Sequence, residues 1–214
     1  MANIAPVPTR VENELCSDDE TFSQVLRETV ALIEAANIPY VLIGGIASTG
    51  HGRPRWTHDI DLLVRPEDAE RTLRTLERAG YRTEKPDPRW LYKAFNQNVI
   101  IDILFRATGE VRLDNEMLQR SVQLDLFGCR ARVAPPEDLL VMKVLVHDED
   151  GTRHWHDALG LIAGNSLDWE YLLRRARRGP RRVLSLLIYA HSRDLHVPNR
   201  VIRELFNQIY GDCS

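Results

Sequence analysis

Asp102 stands in the middle of Asn98-Val99-Ile100-Ile101-Asp102-Ile103-Leu104-Phe105, the most strand-like stretch of the chain. A buried carboxylate without a partner costs several kcal/mol or takes up a proton. Any sheet that includes this strand must therefore supply something to Asp102. A second stretch poses the same problem. Asp59-Ile60-Asp61 opens the apolar run Leu62-Leu63-Val64, and strand alternation puts both acids on one face with Ile60 on the other. Three acids on adjacent strands repel one another, and a divalent cation removes that penalty and reverses its sign. Oxygen-only ligands suit Mg²⁺ or Mn²⁺ rather than zinc, and Mg²⁺ takes few carboxylates, filling its sphere with water and substrate phosphates. The bland alternative is structural: Asp59 caps a strand, Asp61 pairs with Arg53 or Arg55, and Asp102 pairs with another arginine. An isolated Asp-X-Asp is usually of that kind. Here the pair follows a strand-ending Gly44-Gly45 by 14 residues and a third acid lies mid-strand downstream, which favours the metal.

The rest of the chain supplies the frame. Residues 1–16 read as a loose, Pro-containing arm. Ser17 and Glu20 form a capping-box pattern, and Phe22, Val25, Leu26, Val30 and Ile33 recur at helical spacing up to about Ala36. Tyr40–Ile43 reads as a buried strand entering the Gly44-Gly45 turn, and residues 46–57 as a polar, Gly- and Arg-rich connection. Ile60–Val64 predicts a strand, Pro66 to Ala79 a helix ended by Gly80, and Tyr81–Thr83, Leu91–Phe95 and Val99–Phe105 further strands. Val122–Phe127 and Cys129–Val133 flank Gly128 as a hairpin. Helices are predicted at 136–147, 154–163, 168–178, 181–193 and 198–209. Strands and helices alternate early and helices dominate late, which suggests an α/β (α+β) core over 17–134 and a helical C-terminal region over 135–214 packed on it.

Composition narrows the function classes. Apolar (43%) and charged (28%) shares are those of a globular protein. No apolar run reaches the 18 or so residues of a membrane span. The start has neither a basic, apolar export pattern nor a cleavage site. Three widely spaced cysteines, Cys16, Cys129 and Cys213, argue against a disulfide framework or zinc knuckle and for a reducing, cytoplasmic setting. A net charge of −3 excludes the whole chain as an electrostatic nucleic-acid binder but leaves room for a local patch.

Gly44-Gly45-Ile46-Ala47-Ser48, then Arg55-Trp56-Thr57-His58-Asp59-Ile60-Asp61-Leu62-Leu63-Val64, then Asp102 on a later strand, resembles the nucleotidyltransferase superfamily over roughly residues 22–165. The Arg-X-Thr-X-Asp-Ile-Asp phrasing is most similar to the branch of abortive-infection-type nucleotidyltransferase toxins and of lincosamide and aminoglycoside nucleotidyltransferases. The resemblance implies a mixed twisted sheet with flanking helices. It implies a two-metal transfer of a nucleoside monophosphate from a nucleoside triphosphate such as ATP to a hydroxyl of a small molecule, an RNA or a protein. Asp59 and Asp61 would hold the nucleotide-bound Mg²⁺ (or Mn²⁺), and Asp102 would join them at a second ion and act as base. Paired ions about 3.5–4 Å apart stabilise the attacking and leaving oxygens, so the protein's work is positioning and charge neutralisation. Gly44, Gly45, Ser48, Arg55, Thr57 and Lys143 would face the nucleotide. Many relatives carry serine at Gly45; here backbone amides or Ser48 must replace it. The same branch also suggests a toxin–antitoxin component, with a protein partner or a homodimer and weak or lost catalysis.

Other constellations carry less. Lys143 follows Pro136-Glu137-Asp138-Leu139-Leu140, a context that faces nucleotide in the resembled family, although a lone lysine on such a helix is more often a snorkelling surface residue. Where that branch has Lys-Asp-X-X-Asp, this chain has Arg153-His154-Trp155-His156-Asp157, and Asp157 reads better as a cap or as partner to Arg153. His147-Asp148 and His156-Asp157 lie too close together to supply a His-Asp phosphohydrolase site. His51 and His58 read as loop histidines. Arg174 to Arg182 holds six arginines in nine residues. It suits RNA phosphates, but with no aromatic residues among them it reads better as a solvated helix end before Gly179-Pro180.

Overall fold

The helical spacing of Phe22, Val25, Leu26, Val30 and Ile33 places all five in the core of a computed structural model that describes residues 9–52, 57, 59–146 and 152–211. They belong to α1 (Thr9–Ala35). The helix already runs through Thr9, the first described residue, so the Ser17–Glu20 pattern lies inside it, and residues 9–16 do not form part of a loose arm. Run together, Arg10, Glu12, Glu14 and Leu15 are good helix formers, which carry the helix upstream of its apparent cap. Asn37, in the left-handed region (φ 53), ends the helix, with the Ile38 amide bonded back to the Ile33 carbonyl.

Seven strands follow the predicted runs: β1 (Tyr40–Leu42), β2 (Asp59–Val64), β3 (Arg82–Asp87), β4 (Leu91–Asn96), β5 (Val99–Leu104), β6 (Val122–Leu126) and β7 (Cys129–Val133). They form one mixed sheet in the order β3-β4-β5-β2-β1-β7-β6. β2 runs antiparallel to β1 and parallel to β5, and β4 antiparallel to β5. Two-residue turns with positive φ set two of the hairpins, Gln97-Asn98 between β4 and β5 and Phe127-Gly128 between β6 and β7. β3 runs past Thr83 through Pro86, which an edge strand tolerates.

The helices are α2 (Gly44–Gly50), α3 (Ala69–Arg78, led in by a 3-10 turn at Pro66–Asp68), α4 (Asn115–Arg120), α5 (Pro136–Leu145), α6 (Thr152–Gly164), α7 (Trp169–Ala176), α8 (Pro180–Ser192) and α9 (Asn199–Tyr210). Two of them depart from the sequence reading. The polar connection expected from residue 46 begins as α2, because Ile46 and Ala47 are fully buried and draw the chain into a turn of helix against β2 and α5. α4 was not expected; Asp114 caps it by accepting the Met117 amide at 2.8 Å.

α3 packs on β4 and β5, and α1 on β5 and β7; on this side of the sheet Ala94, Ile101 and Ile103 are fully buried. On the alternate positions of β5, Ile100 is 36% exposed and Asp102 half-buried. α5 is buried almost end to end and joins the two halves: α2 lies on one side, and α6, α7 and α8 pack on it. A single hydrophobic cluster accordingly runs from Phe22 to Leu205.

The arginine run fastens this helical layer down. Arg175 is buried and pairs with Asp138 of α5 and with Asp114, while the Tyr171 hydroxyl donates to the same Asp138. Arg174 pairs with Glu116 at 2.6 Å, and Arg178 donates to the Glu110 carbonyl. Arg182 donates to the Val144 and Val146 carbonyls, which the end of α5 leaves without helical partners.

Candidate active site

β1 delivers the chain to Gly44, whose φ of 69° and neighbourhood both exclude a side chain: a Cβ there would sit 1.8 Å from Asp61 Oδ2. The Ile43 amide bonds the Asp61 carbonyl at 3.0 Å, and the Gly45 amide donates to the Asp61 carboxylate. The first glycine thus makes room for the second acid of the pair, and the second glycine gives it a proton donor.

The parallel register of β2 and β5 places Asp61 directly beside Asp102 and Asp59 beside Ile100. Residues in register share a face, so Asp59, Asp61 and Asp102 lie together on the side of the sheet away from α1 and α3. Asp59 is exposed and accepts from the Thr57 hydroxyl at 2.9 Å. Burial, together with the charges of Asp59 and Asp102, pushes the Asp61 carboxyl up to about 7, against the opposing pull of Lys143 and the Gly45 amide. The cluster is short of positive charge.

Two lysines stand at its flanks. Lys93 of β4 is in register with Asp102 and its Nζ lies 2.6 Å from Asp102 Oδ1. Lys143 of α5 is buried, is close enough to Asp61 to act on its charge, and pairs with Asp157 of α6 at 2.7 Å. Asp157 therefore serves Lys143 rather than Arg153. Among the described residues no three acidic, histidine or cysteine side chains converge on one point; Asp102 Oδ1 is taken by Lys93.

Of the other sequence candidates, Ser48 is fully buried and its hydroxyl donates to the Gly44 carbonyl at 2.9 Å, so it is directed into α2. Arg55 and His58 lie outside the described residues, as do His147 and Asp148. His51 is buried with Nε2 2.8 Å from the Ala134 carbonyl, and His156 is exposed. Lys93 was not singled out from the sequence, although the Gln97-Asn98 turn pairs Asn96 with Val99 and so sets Lys93 opposite Asp102.

A family model described as "Uncharacterised nucleotidyltransferase" matches residues 12–195. The chain belongs to that family. Among curated proteins none matches. This nucleotidyltransferase is similar in structure to the antibiotic-resistance factor ANT(2'')-Ia in solution, with 20% identity, a TM-score of 0.54, and 82% of this chain and 94% of that one covered. The crystal structure of ANT(2")-Ia in complex with adenylyl-2"-tobramycin gives 17% identity and a TM-score of 0.53, covering 80% and 97%. The lincomycin-bound lincosamide antibiotic adenylyltransferase LnuA gives 17% and 0.48, covering 65% and 96%. The likeness to ANT(2")-Ia is one of fold, and it agrees with the mixed sheet and helical tail described above. No helix among the described residues is long and apolar enough to cross a membrane.

The geometry at Gly44 gives a sharp test of this candidate site. Gly44→Ala brings a methyl group onto Asp61 Oδ2 and puts a non-glycine residue in the left-handed region, at about 1–2 kcal/mol for the backbone alone. Turnover is expected to fall by roughly 10²-fold or more as Asp61 shifts, with the folded protein retained by circular dichroism. Wild-type turnover in this variant would show that the position of Asp61 does not matter.

Proposed function

We propose that this nucleotidyltransferase moves a nucleoside monophosphate from a nucleoside triphosphate to a hydroxyl-bearing acceptor, with Mg²⁺ or Mn²⁺ bound by Asp59, Asp61 and Asp102. The observation that carries the reading is the in-register placement of Asp61 beside Asp102, on one face with Asp59, at the Gly44-Gly45 turn. The donor set fits the ion: it is all carboxylate, shares one face, and holds in Asp61 a carboxyl whose ionisation its own neighbours oppose. When bound, the metal neutralises phosphate charge and polarises the phosphorus under attack.

The chain's own groups do the rest. Asp59 and Asp61 would hold the ion that binds the triphosphate, with Thr57 fixing the Asp59 carboxylate by a 2.9 Å hydrogen bond. The glycine turn lets backbone come close to phosphate, and because the Ser48 hydroxyl is spent on Gly44, phosphate contact falls to amides. Lys143, held by Asp157, adds positive charge beside Asp61. Asp102, on the far side of Asp61 from the turn, takes the proton of the acceptor hydroxyl. A buried free thiol at Cys129 suits a reducing, cytoplasmic setting.

The direct test is incubation with each labelled triphosphate, with Mg²⁺ or Mn²⁺, and with pools of tRNA, protein and small hydroxyl compounds. Metal-dependent transfer of label to one pool supports the reading, and no transfer to any pool under any metal removes it. The assigned roles make a finer prediction. Asp102→Asn is expected to keep affinity for a non-hydrolysable triphosphate within a few-fold while losing roughly 10²–10³ in turnover. Loss of triphosphate affinity as large as in an Asp61 variant would erase the distinction between the acids.

A further inference from the structure

We propose that Lys93 is a tethered cation that holds the Asp102 carboxylate until a second metal ion displaces it, which makes filling of the site sequential. This rests on the metal-dependent reading above.

The strand registers set Glu84, Lys93, Asp102 and Asp61 in one row across β3, β4, β5 and β2, all on the same face. Lysine is disfavoured in strands, yet here it occupies the one position of β4 that faces the third acid. It supplies the only positive charge in that row. Its Nζ sits 2.6 Å from Asp102 Oδ1, in a pair whose side chains are 26% and 18% exposed. The other two acids are held differently: Asp59 by the Thr57 hydroxyl and Asp61 by the Gly45 amide. Neither of those groups carries charge, so neither opposes a cation. Among the described residues, only at Asp102 is a full positive charge bonded directly to the carboxylate that an ion needs; Lys143, which acts on Asp61, is itself bonded to Asp157.

Like charges cannot share that oxygen: an ammonium at hydrogen-bond distance and a divalent ion at the roughly 2.1 Å of a Mg²⁺–oxygen bond repel one another strongly. Lys93 must therefore leave when an ion takes this oxygen of Asp102. It has somewhere to go, because Glu84 is in register on its other side and is otherwise paired only with the exposed Arg82. At Asp59 and Asp61 no ammonium is bonded to a carboxylate oxygen among the described residues, and the Lys143 charge beside Asp61 is shared with Asp157. The Asp59–Asp61 ion fills first, and the second ion follows when the triphosphate adds its own oxygens.

The test is Mn²⁺ titration of the full chain, with a non-hydrolysable triphosphate present, read by electron paramagnetic resonance of the free ion. Thermal unfolding with and without Mn²⁺ runs in parallel. Lys93→Met and Lys93→Gln are expected to tighten the weaker class of Mn²⁺ sites by roughly tenfold and to leave the tighter class unchanged. Both variants should unfold earlier than wild type without metal, since Asp102 then faces Asp61 uncompensated, and close to wild type with saturating Mn²⁺. Lys93→Arg should restore the wild-type isotherm. An unchanged or weakened second class, with the first class intact, overturns the proposal alone. So does an equal loss of stability with and without Mn²⁺, which marks a purely structural lysine. Absence of any Mn²⁺ binding to the wild-type chain overturns the metal-dependent reading itself and this inference with it.

Discussion

Asp61→Asn is expected to reduce nucleotidyl transfer by about 10³-fold or more, and Asp59→Ala by a similar amount, because each removes one of the proposed metal ligands on which charge neutralisation at phosphorus would depend. The fold should survive both changes. In metal-free protein Asp61→Asn should even gain stability at neutral pH and above, since the carboxyl it replaces is pushed up to about 7 by burial and by Asp59 and Asp102. The sign follows from linkage. A carboxyl whose folded-state pKa is raised favours the folded state fully below its unfolded value near 4, and this contribution is lost as pH climbs through about 7. Urea midpoints in chelator should thus fall from pH 5 to pH 8 more steeply for wild type than for Asp61→Asn. Parallel pH profiles would contradict the crowding of acids at this site, and wild-type turnover in either variant would contradict their role.

Arg175→Met is expected to cost about 3–5 kcal/mol of stability, because it strands the Asp138 carboxylate in the interior with only the Tyr171 hydroxyl as partner. Burial already pushes Asp138 up to about 6, against the lowering effect of Arg175 and Tyr171. The second change Asp138→Leu should recover part of the loss, since both buried charges are then gone and the Tyr171 hydroxyl is the buried group that loses its acceptor. By contrast Arg174→Gln, which breaks an exposed pair with Glu116 (46% and 42% exposed), should cost at most about 1 kcal/mol. Urea midpoints separate the two classes, and a loss below about 1 kcal/mol for Arg175→Met would remove the strut assignment. The comparison also bears on RNA. Arg175 belongs to the core, so a test of the cluster as an RNA surface must use Arg174, Arg177 and Arg181, which are exposed. If the cluster is structural, their replacement by glutamine leaves turnover on any RNA acceptor within a few-fold. A salt-sensitive collapse of that activity would instead place phosphate contacts there.

What the chain's order of residues determined by itself is local and periodic. Apolar runs marked β1, β2 and β5, alternation put Asp59 and Asp61 on one face, and helical spacing located the core face of α1 and the late helices. The odd placement of Asp102 in an apolar strand was visible because isolated acids there are costly wherever the strand lies. Local signals also misled where two agreed equally well. Ser17 and Glu20 look like a helix start but sit inside α1, and the small, polar look of residues from 46 hid α2, whose Ile46 and Ala47 are buried only because β2 and α5 close over them. Which strands become neighbours was decided by the tertiary structure. β2 and β5 are separated by two strands in sequence and pair side by side, and that pairing alone sets Asp61 against Asp102. The same holds for Lys143 with Asp157, 14 residues apart on two helices, and for Arg175 with Asp138 across 37. Periodicity tells a residue which way it faces; only packing, which balances charge and volume over the whole chain, tells it whom it meets.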